Sequence, residues 1–272
     1  MIYALISALC WAGFDLCRKQ LAQSFSAPKM SIMFSSLVLP IFLVLWIFSG
    51  ATLPTNDYYL SATVSGLLAA FGSVSFIRAL ALGKMAIVLP MLSFTPVCSA
   101  LLAWLWLKDP LNSIQIIAIL GITLGSFWVL GGRLKTQEAG VWQGLLAACC
   151  WGCCIVLDKF ALQYGPKEFH AIYITIIILF TIPTMLGVKI KFNILKKFPL
   201  WWLFATLCFS GAVIFQFMAI ELLQPGVVEG LKRAVGILSA LLVGMLFFKE
   251  QISVKQSAAI MLILISSVVL VY

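Results

Sequence analysis

The chain has 272 residues, 63% of them hydrophobic and only 10% charged. A soluble domain carries about 25% charged residues, so this composition excludes a soluble enzyme and leaves a polytopic helical membrane protein with almost no mass outside the bilayer. The apolar runs are continuous rather than alternating, which excludes a transmembrane β-barrel; the net charge of +9 does not signal nucleic-acid binding, because Lys and Arg lie mostly in short loops and at helix ends.

Ten spans are predicted, over residues 2–22, 30–49, 59–81, 86–106, 112–131, 141–163, 168–188, 200–222, 227–248 and 254–272. Each offers roughly the 20 apolar residues that a helix needs to cross a bilayer. The first begins almost at Met1, with no basic leader and no cleavage pattern, so no cleavable signal is expected. The loops are short, so successive helices are expected to be antiparallel neighbours.

Span 1 holds Trp11, Asp15, Arg18 and Lys19. Asp15 stands three and four residues before the two cations, on one helical face. Asp15 is a candidate substrate or proton contact, whereas Lys19 ends its span and can snorkel. Arg78 stands near the end of span 3, where it either snorkels or supplies a second cation to a cavity. Pro40, Pro90, Pro96 and Pro183 interrupt spans 2, 4 and 7 and mark flex points or fixed kinks. Span 6 carries Trp151 inside the run Cys149-Cys150-Trp151-Gly152-Cys153-Cys154. That run reads as a small-residue packing face, not a metal site. Asp158 reads as a local pair with Lys159, and His170 as interfacial. The eight cysteines form no disulfide framework. Trp11 and Trp151 lie inside their spans and either pack helices or wall a substrate. Trp46, Trp104, Trp106, Trp142, Trp201 and Trp202 read as interfacial.

Span 9, Val227–Phe248, carries Glu229, Lys232 and Arg233 in its first third. Charges inside a span are costly and usually face a cavity or a partner. Spacings of three and four put all three on one face. Either they neutralise one another, with Glu221 joining across the Gln224-Pro225-Gly226 turn, or Lys232 and Arg233 bind an anionic group. Arg offers a planar fork and Lys a mobile point charge, a pairing suited to carboxylate or phosphate. Glu229 would then be structural or carry a coupling proton.

The halves repeat. Trp11 falls on Trp151 and Lys19 on Lys159, 140 positions apart; Phe76 falls on Phe217 and Lys108-Asp109 on Lys249-Glu250, 141 apart. Residues 1–132 form a first half, 133–140 a linker and 141–272 a second half. Each half has five spans. Five is odd, so the second half is inserted upside down, and inverted repeats with a site at their interface are a transporter architecture. The fold class expected is an all-α membrane bundle of ten helices in two inverted five-helix repeats.

Ten spans, two repeats, a Trp–Lys signature ending the first span of each half and an acidic residue closing the fourth span of each half resemble the EamA-like branch of the drug/metabolite transporter superfamily. The resemblance covers essentially the whole chain. It implies a carrier whose central cavity is lined mainly by spans 1, 3, 4, 6, 8 and 9. The Lys232-Arg233 pair also resembles the phosphate-binding pair of the sugar-phosphate translocator branch, but Met91 and Leu92 occupy the equivalent first-half positions, so span 4 supplies no matching base. The resemblance implies both termini inside the cell. The loop charges point the other way: Lys and Arg concentrate after odd-numbered spans, which places both termini outside.

The function expected is secondary transport of a small polar, anionic or zwitterionic metabolite by alternating access. The substrate would touch Lys232, Arg233, Glu229, Trp11, Trp151, Asp15 and Arg78. No Walker motif is present, so a gradient, exchange or uniport must drive it. The expected partners are the solute, membrane lipids and a coupling proton or exchanged solute, with no cofactor and no nucleic acid. A monomer suffices, and the expected location is a bacterial inner membrane. The alternatives are an exporter of cationic or aromatic drugs, using Glu229, Glu221 or Asp15, and a lipid-headgroup flippase.

Overall fold

The computed structural model describes residues 1–83, 88, 91–108, 111–129, 140–188, 192–248 and 254–271. The linker 133–140 (Gly140 apart), Pro90, Asp109 and Lys249-Glu250 lie outside these described residues. The described residues form ten α-helices, in chain order α1 (Ile2–Ala22), α2 (Ala27–Phe48), α3 (Tyr58–Leu82), α4 (Thr95–Leu102), α5 (Ser113–Val129), α6 (Val141–Ala161), α7 (Lys167–Leu186), α8 (Pro199–Leu222), α9 (Pro225–Phe248) and α10 (Val254–Val271). Five of them, α2, α3, α6, α7 and α8, are long and apolar enough to cross a membrane by length and composition. Leu60, Leu200 and Phe48 stand 79%, 78% and 86% exposed on the outer surface, as side chains facing acyl chains do.

Span 4 is not the single helix expected. A 3-10 turn, Leu92–Phe94, precedes α4, and a π turn, Ala103–Leu107, follows it. Pro96 stands in the first turn of α4, the place where a missing N–H costs least, so the chain restarts its helix there. Pro40 and Pro183, by contrast, sit inside continuous helices.

The helices pack as two interlocked halves. α1 packs on α8 and α3 on α6; α2 packs on α7, α4 on α9 and α5 on α10. Adding five to each label returns the same set of pairs, which is the pattern of a two-fold relation between halves. Small residues permit these contacts. A Cβ on Gly72 of α3 would lie 2.7 Å from the Trp151 indole nitrogen of α6, so any side chain there would displace the tryptophan. Gly140 starts α6 at φ +92°, and a Cβ there would sit 2.7 Å from the Ala79 carbonyl. Both facts require glycine.

The signature lysines close each half in the same way. Lys19 Nζ donates to the Leu80 and Gly83 carbonyls, each at 2.8 Å. Lys159 Nζ donates to the Leu223 carbonyl at 3.2 Å. Gly83 and Leu223 end α3 and α8 in matching extended conformations, φ −112° ψ 167° and φ −127° ψ 162°. Each cation therefore satisfies orphan carbonyls at the negative end of a helix dipole. These lysines tie helices together rather than snorkelling.

Candidate substrate cavity

On α1, Trp11, Phe14, Asp15 and Arg18 fall three, four and seven residues apart and share one face. On α6, Trp151, Cys154, Ile155 and Asp158 repeat that spacing. All eight line one cavity of about 100 Å³. The symmetry extends further. Ser31, Phe34 and Ser35 of α2 match Ala171, Ile174 and Thr175 of α7; Ala69 and Ser73 of α3 match Phe209 and Val213 of α8. Each pair is 140 positions apart, the offset of the tryptophans. The cavity therefore lies on the axis relating the halves.

Glu229, Lys232 and Arg233 of α9 break the symmetry, because the described residues of α4 contribute nothing to the wall. The lining comes from α1, α2, α3, α6, α7, α8 and α9. It thus includes α2 and α7, which the resemblance did not imply, and among the described residues lacks span 4, which it did. The described part of span 4 carries no charged side chain and packs against α6 and α9 instead.

Three acids (Asp15, Asp158, Glu229) and three bases (Arg18, Lys232, Arg233) line the cavity. All are at least nine-tenths buried. Arg18 Nη1 donates to Asp15 at 3.0 Å. The guanidinium carbon also lies 4.0 Å from the Phe14 ring, 5.3 Å from Phe76, and 5.4 Å from both Trp11 and Trp151. Both internal tryptophans thus stack about one cation of the protein itself. Lys232 Nζ donates to Glu229 and, at 2.7 Å, to Gln216 Oε1. Trp11 Nε1 donates to the same Gln216 oxygen at 2.9 Å. Arg233 is less engaged. Its Nε lies 3.9 Å from Glu229 Oε2, and neither atom has a hydrogen bond among the described residues. Asp15 is within electrostatic reach of Arg18, Arg233 and Lys232, so the charges of α1 and α9 form one cluster.

A second network lies on the α6 side. Asp158 Oδ1 accepts from Ser65 and lies 3.0 Å from His170 Nε2. His170 Nδ1 is 2.7 Å from the Tyr58 hydroxyl.

The EamA-like transporter family model matches residues 1–131 and 138–272. The chain belongs to the EamA-like transporter family. A solved structure titled "Crystal structure of protein" has the same fold, with a TM-score of 0.77 over 98% of this chain and 94% of that chain at 14% sequence identity. No curated protein matches the chain. This EamA-like protein is an integral, multi-pass membrane transporter of the drug/metabolite type and not an enzyme.

In this transporter, the cavity brings together Trp11, Trp151, Asp15, Glu229, Lys232 and Arg233, six of the seven residues singled out from the sequence. Arg78 is the exception: it is exposed and absent from the wall. Glu221 does not join the α9 cluster either; it is partly exposed and pairs with Lys167 at 3.9 Å. Three further expectations are corrected. Asp158 pairs with His170 rather than with Lys159. His170 is fully buried, not interfacial. Trp202 is 2% exposed and packs against Phe34, so it belongs to the core.

The sequence does not single out Asp158, His170 or Gln216 as residues of the site. One signal was available for Asp158. It stands 140 positions after Arg18, so the repeat places an acid where the first half has a base.

Proposed function

We propose that this EamA-like protein is a secondary carrier for a small anionic or zwitterionic organic metabolite, moved by alternating access through the central cavity. The observation that supports this reading most is the state of Arg233. It is a buried guanidinium on the cavity wall whose acidic neighbour stands at 3.9 Å and whose Nε has no hydrogen bond among the described residues. A planar fork of donors in a low-dielectric cavity suits a carboxylate or a phosphate. Lys232 is already held by Glu229 and Gln216. Arg233 therefore takes the anionic group, and Lys232 positions the wall around it. The cavity admits on the order of seven waters by volume, the scale of a small polar solute.

The aromatic walls argue against a cationic drug. Trp11, Phe14, Phe76 and Trp151 already surround Arg18, and a second cation there would meet a like charge. The balance of three acids and three bases favours a zwitterion, its anionic end at Arg233 and its cationic end toward Asp158. On this reading a monomer suffices and a bacterial inner membrane is the setting. The two repeats, residues 1–132 and 141–272, shift against each other to open the cavity to one side of the membrane at a time.

The test is a thermal-shift screen of purified protein against amino acids, carboxylic acids, phosphorylated metabolites, nucleosides and organic cations. A ligand at 100 times its dissociation constant adds about 2.7 kcal/mol of stability. The expected result is stabilisation by an anion or zwitterion that is lost in Arg233→Gln. Stabilisation by cations alone, retained in Arg233→Gln, would remove the basis of the proposal.

A further inference from the structure

We propose that Asp158 and His170 form a proton-binding site on the cavity wall, sharing one exchangeable proton between them. Of the three cavity carboxylates, Asp15 has Arg18 at 3.0 Å and Glu229 has Lys232. Asp158 differs. Its ion-pair partner among the described residues is His170, whose imidazole is charged only when protonated. Asp158 is 3% exposed and His170 0%. An ionised carboxylate buried in a span without a cation is expensive. One proton on the pair removes that cost, whether it resides on the imidazole or on the carboxyl, and the two groups hold it jointly.

The surroundings accept both states. The Tyr58 hydroxyl, 2.7 Å from Nδ1, can donate to a neutral imidazole or accept from an imidazolium. Ser65 donates to Asp158 Oδ1 and fixes the carboxyl. Oδ2 has the Cys154 thiol at 3.7 Å, and Asp158 is the member of the network that lines the cavity. The proton therefore enters and leaves on the cavity side. The groups that face the pair are Tyr58 and Ser65 from α3, Cys154 from α6 and the Phe217 ring from α8 at 4.9 Å from the imidazole. Tyr59 and Tyr173 flank Tyr58, and Lys232 of α9 is within electrostatic reach of Cys154. Lys159, the neighbour in sequence, donates to the Leu223 carbonyl. What the proton does rests on the carrier reading: it is the proton that a pH gradient would move in exchange for solute. The site itself does not depend on that reading.

The chain contains one histidine, so NMR of protein labelled with 13C,15N-histidine, purified on a histidine-free tag and placed in nanodiscs, reports this imidazole alone. Between about pH 5 and 9 the ring signals are expected to pass through one titration. Asp158→Asn is expected to displace its midpoint by about one pH unit or more, a tenfold change in proton affinity. A ring locked in one charge state over that range would overturn the proposal, as would a midpoint that Asp158→Asn leaves in place. Should that variant fail to fold, Tyr58→Phe keeps both titrating groups and removes only the oxygen beside Nδ1. A shifted Nδ1 signal with Nε2 retained is expected; an unchanged Nδ1 signal would contradict the network. No solute enters the measurement, so its failure would leave the carrier reading standing, and failure of the ligand screen would leave this site standing.

Discussion

Glu229→Gln is the sharpest perturbation of the α9 cluster. It keeps the shape of the side chain and removes one charge. In the native protein Glu229 neutralises Lys232 directly and stands 3.9 Å from Arg233. Lys232 is 6% exposed; Asp15, the other acid within its electrostatic reach, is held by Arg18 at 3.0 Å, and the remaining direct contacts of Lys232 among the described residues are the Gln216 oxygen at 2.7 Å and the Trp11 ring at 5.0 Å. Neither carries a charge. The variant thus leaves two buried cations on one helical face. Removing one partner of a buried ion pair costs about 3–5 kcal/mol. At about 2–4 °C per kcal/mol for a chain of this size, Glu229→Gln should lower the melting temperature by roughly 6–20 °C. The double variant Glu229→Gln/Lys232→Met restores the original charge balance of the face and should recover at least about half of that loss. Lys232→Met alone leaves Glu229 with Arg233 and should cost less than Glu229→Gln. The assay is intrinsic tryptophan fluorescence during heating in detergent. Wild-type melting in Glu229→Gln, or a double variant worse than both singles, would refute the assignment of these charges as one buried unit.

Other predictions follow from single contacts. Lys19→Met removes two charge-assisted bonds to the end of α3 and should cost about 1.5–3 kcal/mol, read as a lower melting temperature with ligand affinity retained. Gly72→Ala drives a Cβ to within 2.7 Å of the Trp151 indole and should destabilise by about 1–3 kcal/mol, with a changed tryptophan emission spectrum. Arg78→Gln, exposed and away from the cavity, should leave ligand stabilisation within error of wild type; a loss equal to that of Arg233→Gln would show that the bound solute reaches Arg78.

Much of the architecture was legible because a membrane makes sequence patterns simple. Apolar length gave the ten spans, and paired Trp and Lys residues gave the repeat. The α9 cluster was legible because three charges inside an apolar span have few places to go. The rest depended on three-dimensional partners. Asp158 beside Lys159 looks like an ion pair on paper, but adjacent helical residues point about 100° apart, so Lys159 turns to the end of α8 while Asp158 turns to His170. His170 lies near a helix start, which suggested an interface; the buried Tyr58, Phe217 and Asp158 around it come from three other helices. The break in span 4 was foreshadowed by Pro96, yet whether a proline kinks a helix or restarts it depends on the turn before it. Arg78 carried the right charge but faced the wrong way, since a span position alone does not fix a face.

The most direct test of the account is to let the protein choose its solute. Proteoliposomes containing the carrier, or its Arg233→Gln variant, would be exposed to a cell metabolite extract, and their lumen analysed by mass spectrometry. A chemically unchanged carboxylate, phosphate or zwitterion of small size is expected to enter the wild-type vesicles and to be absent from Arg233→Gln vesicles. Entry of cationic or aromatic amines instead, at the same level in both preparations, would contradict it.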